Sequence, residues 1–256
     1  HLLRRQRQMC IRDSNRPIYF LIYKMTLIKD IINQNKRLSN ISKIISDLSR
    51  EIQIDAYLVG GCVRDLMLNP SKDAIDVDIM VEGDGIAFAK ILAKKINVPK
   101  IVPFKKFATA KIPYKEFEIE VASARLEKYD KSSRSPSEVT LSNIQDDLLR
   151  RDFTVNAMAV SLNEQNFGEF FDPFNGMEDL NNKILKTPLD PDITFSDDPL
   201  RMMRAAYFAS KLSLSIERNC LESIKDNAER ISIVSQERIT NESVSYTHLR
   251  AHETVL

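Results

Sequence analysis

Residues 56–82 read AYLVGGCVRDLMLNPSKDAIDVDIMVE and predict a strand–turn–helix–strand unit around which the chain folds. The apolar run at 57–59 predicts a short buried strand, a glycine pair follows it, and residues 63–68 are typical of a helix. After a polar turn, a second apolar run carries Asp76 and Asp78. Alternate residues of a strand face the same side, so we expect these two carboxylates to stand side by side.

Two neighbouring carboxylates repel each other unless a cation lies between them or one of them stays protonated. Oxygen ligands at this spacing suit Mg²⁺, which binds few protein carboxylates and leaves room for substrate phosphates. Gly60 and Gly61 allow the backbone to approach a ligand closely, and the helix behind them offers free N–H groups to an anion. Together with the basic Arg64, the stretch predicts a site for a nucleoside triphosphate and a metal.

The motif LVGGCVRD followed by DVD resembles the first motif of the tRNA nucleotidyltransferases, the CCA-adding enzymes. The resemblance is to their bacterial-type class, which shares its core with bacterial poly(A) polymerases. It implies an α+β fold, in which a polymerase-beta-like nucleotidyltransferase head with a mixed sheet and helices precedes an all-helical neck. The residues that it assigns to nucleotide binding in this stretch are Gly60, Gly61, Arg64 and Asp65.

The composition is that of a soluble globular protein, with 43% apolar and 29% charged residues over 256 positions. No apolar run approaches the roughly 20 residues of a membrane span, so we expect no membrane partner. The three cysteines are scattered, which predicts neither disulfides nor a zinc cluster and favours a reducing cytoplasm. Histidine stands only near the ends, which argues against histidine-dependent hydrolases and histidine-bound zinc.

Both ends of the chain differ from its body. The leader, residues 1–24, and the tail, residues 243–256, match nothing in the family. We interpret part of the leader and the whole tail as non-native. A targeting presequence is the alternative for the basic leader. We expect the head over 25–188 and a truncated helical neck over 189–242, with a proline-rich boundary. The family's tRNA-gripping C-terminal domains are expected to be absent. Without its flanks the body is slightly acidic, so we expect the positive charge for RNA contact either to be local or to lie on a part that is absent from this chain.

A third carboxylate comes from the strand predicted over 117–121, where apolar residues alternate with Glu118 and Glu120. The alternation alone places both glutamates in solvent, and we keep that interpretation for Glu118. The family's third carboxylate stands five residues before an arginine, as Glu120 stands before Arg125, so the resemblance assigns Glu120 to the metal. The Ser-rich residues 126–145 predict a mobile loop, which the resemblance implies reshapes the nucleotide pocket.

The segment DDLLRRDFTVNAMAV matches the family's RRDxTxN block. Adjacent arginines on a helix point in different directions, so one structural alternative leaves one arginine in solvent and pairs the other with Asp146 or Asp147. The resemblance instead implies that Arg151, Asp152 and Asn156 surround the nucleotide, because an arginine fork suits phosphate while Asp and Asn suit ribose hydroxyls. The later segment FDPFNGMEDL resembles the family's hinge between head and neck.

In the predicted neck, DDPLRMMRAAYFASKL is interpreted as one helix with acidic residues in its first turn. Asp198 and Arg201 then lie on one helical face, which alone indicates only an intrahelical salt bridge. The family's EDxxR motif instead makes this pair an amino-acid template for C and A, and the resemblance adds Arg204 to the nucleotide-binding set. Two positions depart from the family: Asp197 replaces the leading Glu, and Tyr207 stands where Arg is usual.

The resemblance implies template-independent addition of CMP and AMP from CTP and ATP to the 3′ end of tRNA, with release of pyrophosphate. Asp76, Asp78 and Glu120 are then both the catalytic and the metal-binding residues and hold two Mg²⁺ ions. Positioning and charge neutralisation carry such a transfer, so no histidine base is required. The alternatives are a bacterial poly(A) polymerase, which uses the same motifs, and a truncated nucleotide-binding module without turnover.

Overall fold

The computed structural model describes residues 28–69, 76–129 and 136–243. The predicted leader at 1–24, all but the first residue of the tail at 243–256, and most of the turn after the first glycine motif therefore lie outside the described residues. Within the described parts, strands and helices are mixed along the chain, and the α+β class expected from the sequence is confirmed.

The described residues form strands β1 to β11 and helices α1 to α10, with short 3-10 turns between some of them. The strands are β1 (Ala56–Val59), β2 (Asp76–Val81), β3 (Val102–Phe104), β4 (Thr109–Tyr114), β5 (Phe117–Ser123), β6 (Arg125–Tyr129), β7 (Pro136–Leu141), β8 (Ala159–Ser161), β9 (Phe170–Phe171), β10 (Ile184–Leu185) and β11 (Ser215–Ile216). The helices are α1 (28–34), α2 (Lys36–Ile52), α3 (Gly61–Leu68), α4 (Gly85–Lys95), α5 (Ile144–Leu149), α6 (Gly176–Asn181), α7 (Pro191–Asp197), α8 (Leu200–Leu212), α9 (Arg218–Asp226) and α10 (236–243). Over these parts of the chain, no helix combines the length and the apolar character needed to cross a bilayer.

A seven-stranded mixed sheet in the order β3-β4-β5-β2-β1-β8-β9 forms the centre of the first two thirds of the chain. β2 and β5 pair in parallel, whereas the other neighbours in this sheet pair antiparallel. One face packs against α2 and α4 through fully buried side chains such as Leu58, Ile79 and Val121. The opposite face carries the polar residues of β2 and β5, and a smaller cluster around Met80 and Leu148 covers part of it.

Local sequence signals fix the helices behind the sheet. Asn35 caps α2 by accepting hydrogen bonds from backbone N–H groups of its first turn, and Asp84 caps α4 in the same way. Gly85 allows α4 to approach the sheet, because a Cβ there would lie 2.7 Å from the backbone nitrogen of Ser123. α4 therefore lies directly against β5 and supports the strand that carries Glu120.

The interpretation of residues 126–145 as a mobile loop is wrong for the part that the structure describes. β6 and β7 pair as an antiparallel hairpin within this region. Residues 130–135, between the two strands in the sequence, lie outside the described residues. Tyr129, Val139 and Thr140 have high strand propensity, and the serines and the proline around them obscured this signal in the sequence.

Strand pairing also continues beyond the expected boundary near 188, so the expectation of an all-helical neck is wrong. β10 lies before the boundary and pairs in parallel with β11 after it. A second hydrophobic cluster joins the two sides, since Phe153 and Leu185 pack with Phe195 and Phe208. The two sides of the boundary are therefore packed against each other. The strands β10 and β11 were not predicted because two residues are too few to show a periodicity.

Candidate active site

Four carboxylates lie on one face of the central sheet, along β2 and β5. The parallel register places Asp76 opposite Glu118 and Asp78 opposite Glu120. Residues in register on neighbouring strands share a face, and such strands lie about 4.8 Å apart. The intervening Val77 is fully buried in the core on the other face, so the alternation expected for this strand is present.

Asp78 is half-buried at the centre of this group. Its pKa is raised to about 6, first by burial and then by the charge of Glu120, with a smaller contribution from Asp76. Arg151 and Lys111 act in the opposite direction but do not cancel the effect. The group therefore carries more negative charge than the surrounding side chains neutralise.

Lys111 on β4 supplies one positive charge on this face. It lies directly opposite Glu120 in the antiparallel pair of β4 and β5. Its Nζ is 2.6 Å from Oε1 of Glu118 and 3.6 Å from Oε2 of Glu120. Glu118 is therefore more than the plain solvent-facing residue that the sequence suggested. Lys111 was not predicted, although its position between the apolar Ala110 and Ile112 indicated the polar face of a strand.

Among residues 28–69, 76–129 and 136–243, no three His, Cys, Asp or Glu side chains are grouped as a ready-formed metal site. The donor set nevertheless fits a hard divalent cation, because Asp76, Asp78 and Glu120 offer only oxygen ligands on one face. The pKa of Asp78 is raised first by burial and then by Glu120, and Arg151 and Lys111 offset only part of this, so a bound cation would favour the ionised carboxylate.

The glycine turn lies beside these carboxylates, between β1 and α3. Gly60 has φ +69° and ψ −134°, a conformation that residues with a Cβ rarely adopt. A Cβ on Gly60 would lie 2.6 Å from Nη1 of Arg151, so the guanidinium rests directly on the turn. Because Arg151 also acts on the charge of Asp78, the turn, the arginine and the carboxylates form one site.

Arg64 on α3 is directed into the protein, with only 3% of its side chain exposed. Its Nε donates to Oδ1 of Asp65 at 2.7 Å, and its Nη1 donates to Oδ1 of Asn156. The guanidinium folds back over the start of its own helix, where Nη2 would lie 3.4 Å from a Cβ on Gly61. Arg64 therefore orients Asn156 by a direct hydrogen bond.

Asp152 and Arg204 extend this hydrogen bonding to helix α8. Arg204 donates from Nε and Nη2 to Oδ2 of Asp152 at 2.8 and 2.6 Å, and Asn156 donates to Oδ1 at 3.1 Å. Although burial of Asp152 opposes its ionisation, Arg204 and Asn156 hold the pKa of the carboxyl below its usual value. The resulting polar chain runs through Asp65, Arg64, Asn156, Asp152 and Arg204.

An aromatic ring lies between the two arginines of the polar chain. The guanidinium carbons of Arg64 and Arg204 are 5.3 and 5.0 Å from the ring centroid of Phe208. Tyr207, which stands where the family usually has Arg, packs edge-on against this ring at 5.1 Å and lies under the Nζ of Lys211. Phe208 was not predicted, although its i,i+4 spacing from Arg204 indicated a contact on one helix face.

Arg150 and Arg151 both pair with the same carboxylate. Their Nη2 atoms lie 2.5 and 2.9 Å from the two carboxylate oxygens of Asp147, whose side chain is 1% exposed. The alternative that leaves one arginine in solvent is therefore wrong, because α5 ends at Leu149 and the two residues no longer diverge on a helix. Burial of Asp147 opposes its ionisation, but Arg151 and Arg150 hold the pKa of the carboxyl below its usual value.

Asp198 does not lie in the first turn of the helix that contains Arg201, and this part of the sequence interpretation is wrong. Asp197 ends α7, Asp198 is extended at φ −134° and ψ 97°, and α8 begins only at Leu200. A residue that precedes proline is disfavoured in the helical region, so Pro199 causes the break. Oδ1 of Asp198 accepts a hydrogen bond from the N–H of Leu200 at 3.2 Å.

Arg201 lines a cavity of about 100 Å³ between the β6–β7 hairpin, α5 and the start of α8. The other lining residues are Leu126, Asp146, Leu149, Arg150, Leu189 and Asp197. Three of the seven lining residues are leucines and four are charged. Arg201 acts electrostatically on Asp152, and Asp198 acts on Arg204, so the predicted templating pair lies near the polar chain.

Comparison with known proteins places this site in a family. A family model described as "Poly A polymerase head domain" matches residues 56–186, which is just over half of the chain. A second model, described as "Probable RNA and SrmB- binding site of polymerase A", matches residues 213–244. The first match contains the glycine turn, all four carboxylates and the paired arginines.

Individual relatives agree with these matches. The chain is 40% identical over 170 residues to an A-adding tRNA nucleotidyltransferase of Aquifex aeolicus. The aligned region covers 66% of this chain and 20% of the relative. It is 38% identical over 191 residues to a CCA-adding enzyme of Lactobacillus helveticus, covering 74% of this chain and 45% of the relative. The solved structure of a Thermotoga maritima CCA-adding enzyme complexed with tRNA superposes with a TM-score of 0.71 at 31% identity, over 86% of this chain and 50% of that one.

The chain thus spans between a fifth and a half of the length of these relatives. The matched head domain alone covers more than half of the chain, and it carries the motifs from which the resemblance was first drawn. The chain belongs to the nucleotidyltransferase family of the poly(A) polymerase head domain, which includes the CCA-adding and A-adding tRNA nucleotidyltransferases.

Proposed function

We propose that this chain carries the nucleotidyl-transfer part of an enzyme that adds CMP and AMP from CTP and ATP to the 3′ end of tRNA, releasing pyrophosphate. The observation that carries the proposal is the register of Asp76, Asp78 and Glu120 on one face of β2 and β5, beside the Gly60 turn and Arg151. Oxygen ligands, a glycine that permits close approach and a guanidinium are the groups that a metal-bound triphosphate requires.

Asp76, Asp78 and Glu120 are the residues that would hold Mg²⁺. When bound at such a site, the ions acidify the attacking 3′-hydroxyl and neutralise charge on the departing pyrophosphate. The chain itself keeps these carboxylates in place through the paired strands, and it keeps water from the inner side of Asp78 by burial. Arg151 favours the ionised form of Asp78, which is the form that binds a cation.

Arg151 is also the residue that we propose for contact with the triphosphate, because its planar fork already lies over the Gly60 turn. Asp152 and Asn156 are proposed for the ribose hydroxyls. Arg64 and Arg204 hold those two side chains by hydrogen bonds, so their effect on the nucleotide passes through Asp152 and Asn156.

Asp198 and Arg201 are proposed to select the base. A carboxylate accepts a hydrogen bond from the exocyclic amine of C or A, and a guanidinium donates to ring acceptors; neither G nor U offers this pattern on its pairing edge. The proposal is supported by the position of Arg201 at a cavity that has both leucine and charged side chains in its lining. Gly61 is the first residue of α3, where backbone N–H groups suit a phosphate, and Asp65 accepts a hydrogen bond from Arg64 one turn further along the helix.

We propose that the catalytic head ends near residue 188 and that the helices over 189–242 form a neck. The family match that ends at residue 186 and the separate match over 213–244 support this division. Because Phe153 and Leu185 belong to the second cluster, the neck is a packed neighbour of the head.

Primer extension tests the proposed reaction with two substrates, a tRNA that lacks CCA and a tRNA that ends in CC. With CTP and ATP the first is expected to gain C, C and A, and the second to gain a single A. Long A tails formed without CTP would instead indicate a poly(A) polymerase. Nucleotide binding without any incorporation would indicate a binding module, and both results contradict the proposal.

Addition of the terminal A alone is a second candidate, since the Aquifex aeolicus relative with 40% identity is an A-adding enzyme. In the same assay this candidate extends only the tRNA that ends in CC, and CTP has no effect. The substitution Arg201→Ala is expected to reduce discrimination among the four nucleotides under either candidate. Lys211→Ala, on the same helix, is the control that should leave discrimination unchanged.

A further inference from the structure

The edge strand β3 and the turn that follows it carry a run of exposed apolar and basic side chains. All six residues of 102–107 are exposed, and three large apolar side chains among them have 40–51% of their surface in solvent. Large apolar groups this exposed and this close together are typical of binding surfaces. The set, called the edge patch below, is Val102, Phe104, Lys105, Lys106 and Phe107.

Two residues of the edge patch, Val102 and Phe104, lie on the same face of the sheet as the carboxylates, and the turn with the other three follows directly. Val102 lies opposite Lys111, Lys111 lies opposite Glu120, and Glu120 is in register with Asp78. These four residues form one row across β3, β4, β5 and β2. Three strand spacings separate its ends, which amounts to about 14 Å. A flexible ligand bound at the patch can therefore extend along this row to the carboxylates.

The turn that carries the patch is fixed by several hydrogen bonds. Ala108 has φ +47°, and its carbonyl accepts from the N–H of Ser123 at 3.1 Å. The carbonyl of Phe107 accepts from Oγ1 of Thr109 at 2.9 Å and from the guanidinium of Arg125. Because the turn is already ordered, a ligand loses little affinity to the ordering of this surface.

The backbone of this edge is poorly suited to pairing with a strand of another protein. Exposed edge strands normally invite such pairing, but Pro103 at the centre of β3 has no N–H to donate. The side chains are therefore the contact groups that this edge offers. Aromatic faces next to lysines suit the bases and phosphates of unpaired nucleic acid, since any base can stack and lysine neutralises phosphate.

We propose that the edge patch binds the unpaired 3′-terminal nucleotides of the RNA primer. The inference rests on the proposed function, in which the 3′-hydroxyl of an RNA reacts beside Asp78. Bases stack on Phe104 and Phe107, and Lys105 and Lys106 contact the phosphates. This local basic patch supplies positive charge for RNA contact, which the slightly acidic body of the chain does not provide as a whole.

Binding of a fluorescein-labelled five-nucleotide RNA ending in CC to the 256-residue chain tests the aromatic contacts. Phe104→Ala and Phe107→Ala are each expected to weaken binding about tenfold, whereas Phe104→Tyr keeps the ring and is expected to bind within about twofold of wild type. Ile91→Ala on α4 is the matched control, because Ile91 is as exposed (39%) as Phe104 (40%) but lies behind the sheet.

The salt dependence of the same binding tests the lysines. For single-stranded RNA, each lost phosphate contact is expected to lower the slope of log Kd against log salt concentration by about 0.7. Lys105→Ala should show this change, while Phe104→Ala should weaken binding with the slope retained. Lys94→Ala, in the last turn of α4 behind the sheet, is the control that should leave the slope unchanged.

Unchanged RNA affinity in both phenylalanine variants, or no measurable affinity in the wild-type chain, would overturn the inference. A variant that binds RNA normally but loses self-association in sedimentation would assign the patch to contact between copies of the chain and would also overturn it. In primer extension, the variants should raise KM for the RNA and leave KM for the nucleotide unchanged. A wild-type chain that binds RNA through the patch but never extends it would contradict the proposed function and leave this inference intact.

Discussion

The carboxylates of β2 and β5 and the polar chain from Asp65 to Arg204 lie side by side, yet their electrostatics are opposite. In the first region, burial and neighbouring acids raise the pKa of Asp78 to about 6. In the second region, Asp152 is also an aspartate and is more deeply buried. Arg204 and Asn156 nevertheless hold its pKa below the usual value. The ionised form of an aspartate is thus destabilised in the first region and stabilised in the second.

The difference shows which region is complete without a ligand. The polar chain satisfies its own charges and fixes the orientation of Asn156 and Asp152. Among the described residues, Lys111 and Arg151 are the cations that lower the pKa of Asp78, and they do not offset burial and the neighbouring acids, so a divalent cation would complete this environment. A rigid, satisfied framework beside an unsatisfied site is the arrangement that preorganised catalysis requires.

The largest effect is expected from Asp78→Asn, which removes a proposed metal ligand and its charge at almost constant volume. Transfer activity in primer extension should fall by at least about 10²–10³-fold. The melting temperature without metal should stay the same or rise, because repulsion with Glu120 is relieved.

Glu118→Gln is the matched control for this change, since it neutralises a carboxylate on the same face that pairs with Lys111. It should retain activity within about tenfold. Equal losses in both variants would show that net charge alone matters, and full activity in Asp78→Asn would contradict the metal role.

Arg204→Met tests the other region by leaving the buried Asp152 without its arginine. Because Asp152 is buried but the Arg204 side chain is 36% exposed, this loss should cost about 2–3 kcal/mol in the free energy of unfolding, measured by urea titration. Arg218→Met removes an arginine from the exposed Arg218–Glu222 pair and should cost less than about 1 kcal/mol. Similar values for the two variants would contradict the distinction between the regions.

The pH dependence of the free energy of unfolding should reveal the raised pKa of Asp78. Asp78 has a higher pKa in the folded chain, about 6, than its ordinary value of 3.8, so its protonated form favours folding. This stabilisation is complete below about pH 4 and is lost as the pH rises through 6. Relative to Asp78→Asn, wild type in EDTA should therefore lose about 2–3 kcal/mol between pH 4 and 7. A pH-independent difference between the two in urea titrations would contradict the assignment.

The smallest effect is expected from Lys111→Met, which removes the cation that competes with metal at the carboxylates. Affinity for Mg²⁺, measured by calorimetry, should rise about tenfold, equivalent to roughly 1.5 kcal/mol for a unit charge about 5.5 Å from a divalent ion in water. Lys115→Met, at the turn after β4, is the control. Weaker Mg²⁺ binding in Lys111→Met would mean that Lys111 supports the site and does not compete with the cation.

The parts of this molecule that were predictable from sequence are those in which a local rule acts alone. Strand alternation predicts that Asp76 and Asp78 share a face, and the glycine pair predicts the turn at Gly60. The register of β2 against β5 is a long-range property, so only the family motif brought Glu120 into the set. Nothing in the local pattern of Lys111 identifies its contact with Glu118.

The errors arose where tertiary or neighbouring effects overrode a pattern. Pro199 separates Asp198 from α8, although the acidic residues before it look like a helical first turn. Arg150 and Arg151 converge because a single buried carboxylate, Asp147, needs both of them. The hairpin of β6 and β7 was overlooked because serines and a proline dominate the composition of its surroundings.

The pairing of β10 with β11 has a practical consequence for dissecting the chain. A fragment that stops at residue 188 leaves the edge of Ile184–Leu185 bare and uncovers Phe153, which packs against Phe208 at a centroid distance of 5.9 Å. Such a fragment would expose apolar surface that is buried in the intact chain. Its aggregation would therefore say nothing about the solubility of the intact chain. An expressible head should extend at least through Asp226, so that α8, β11 and α9 accompany it.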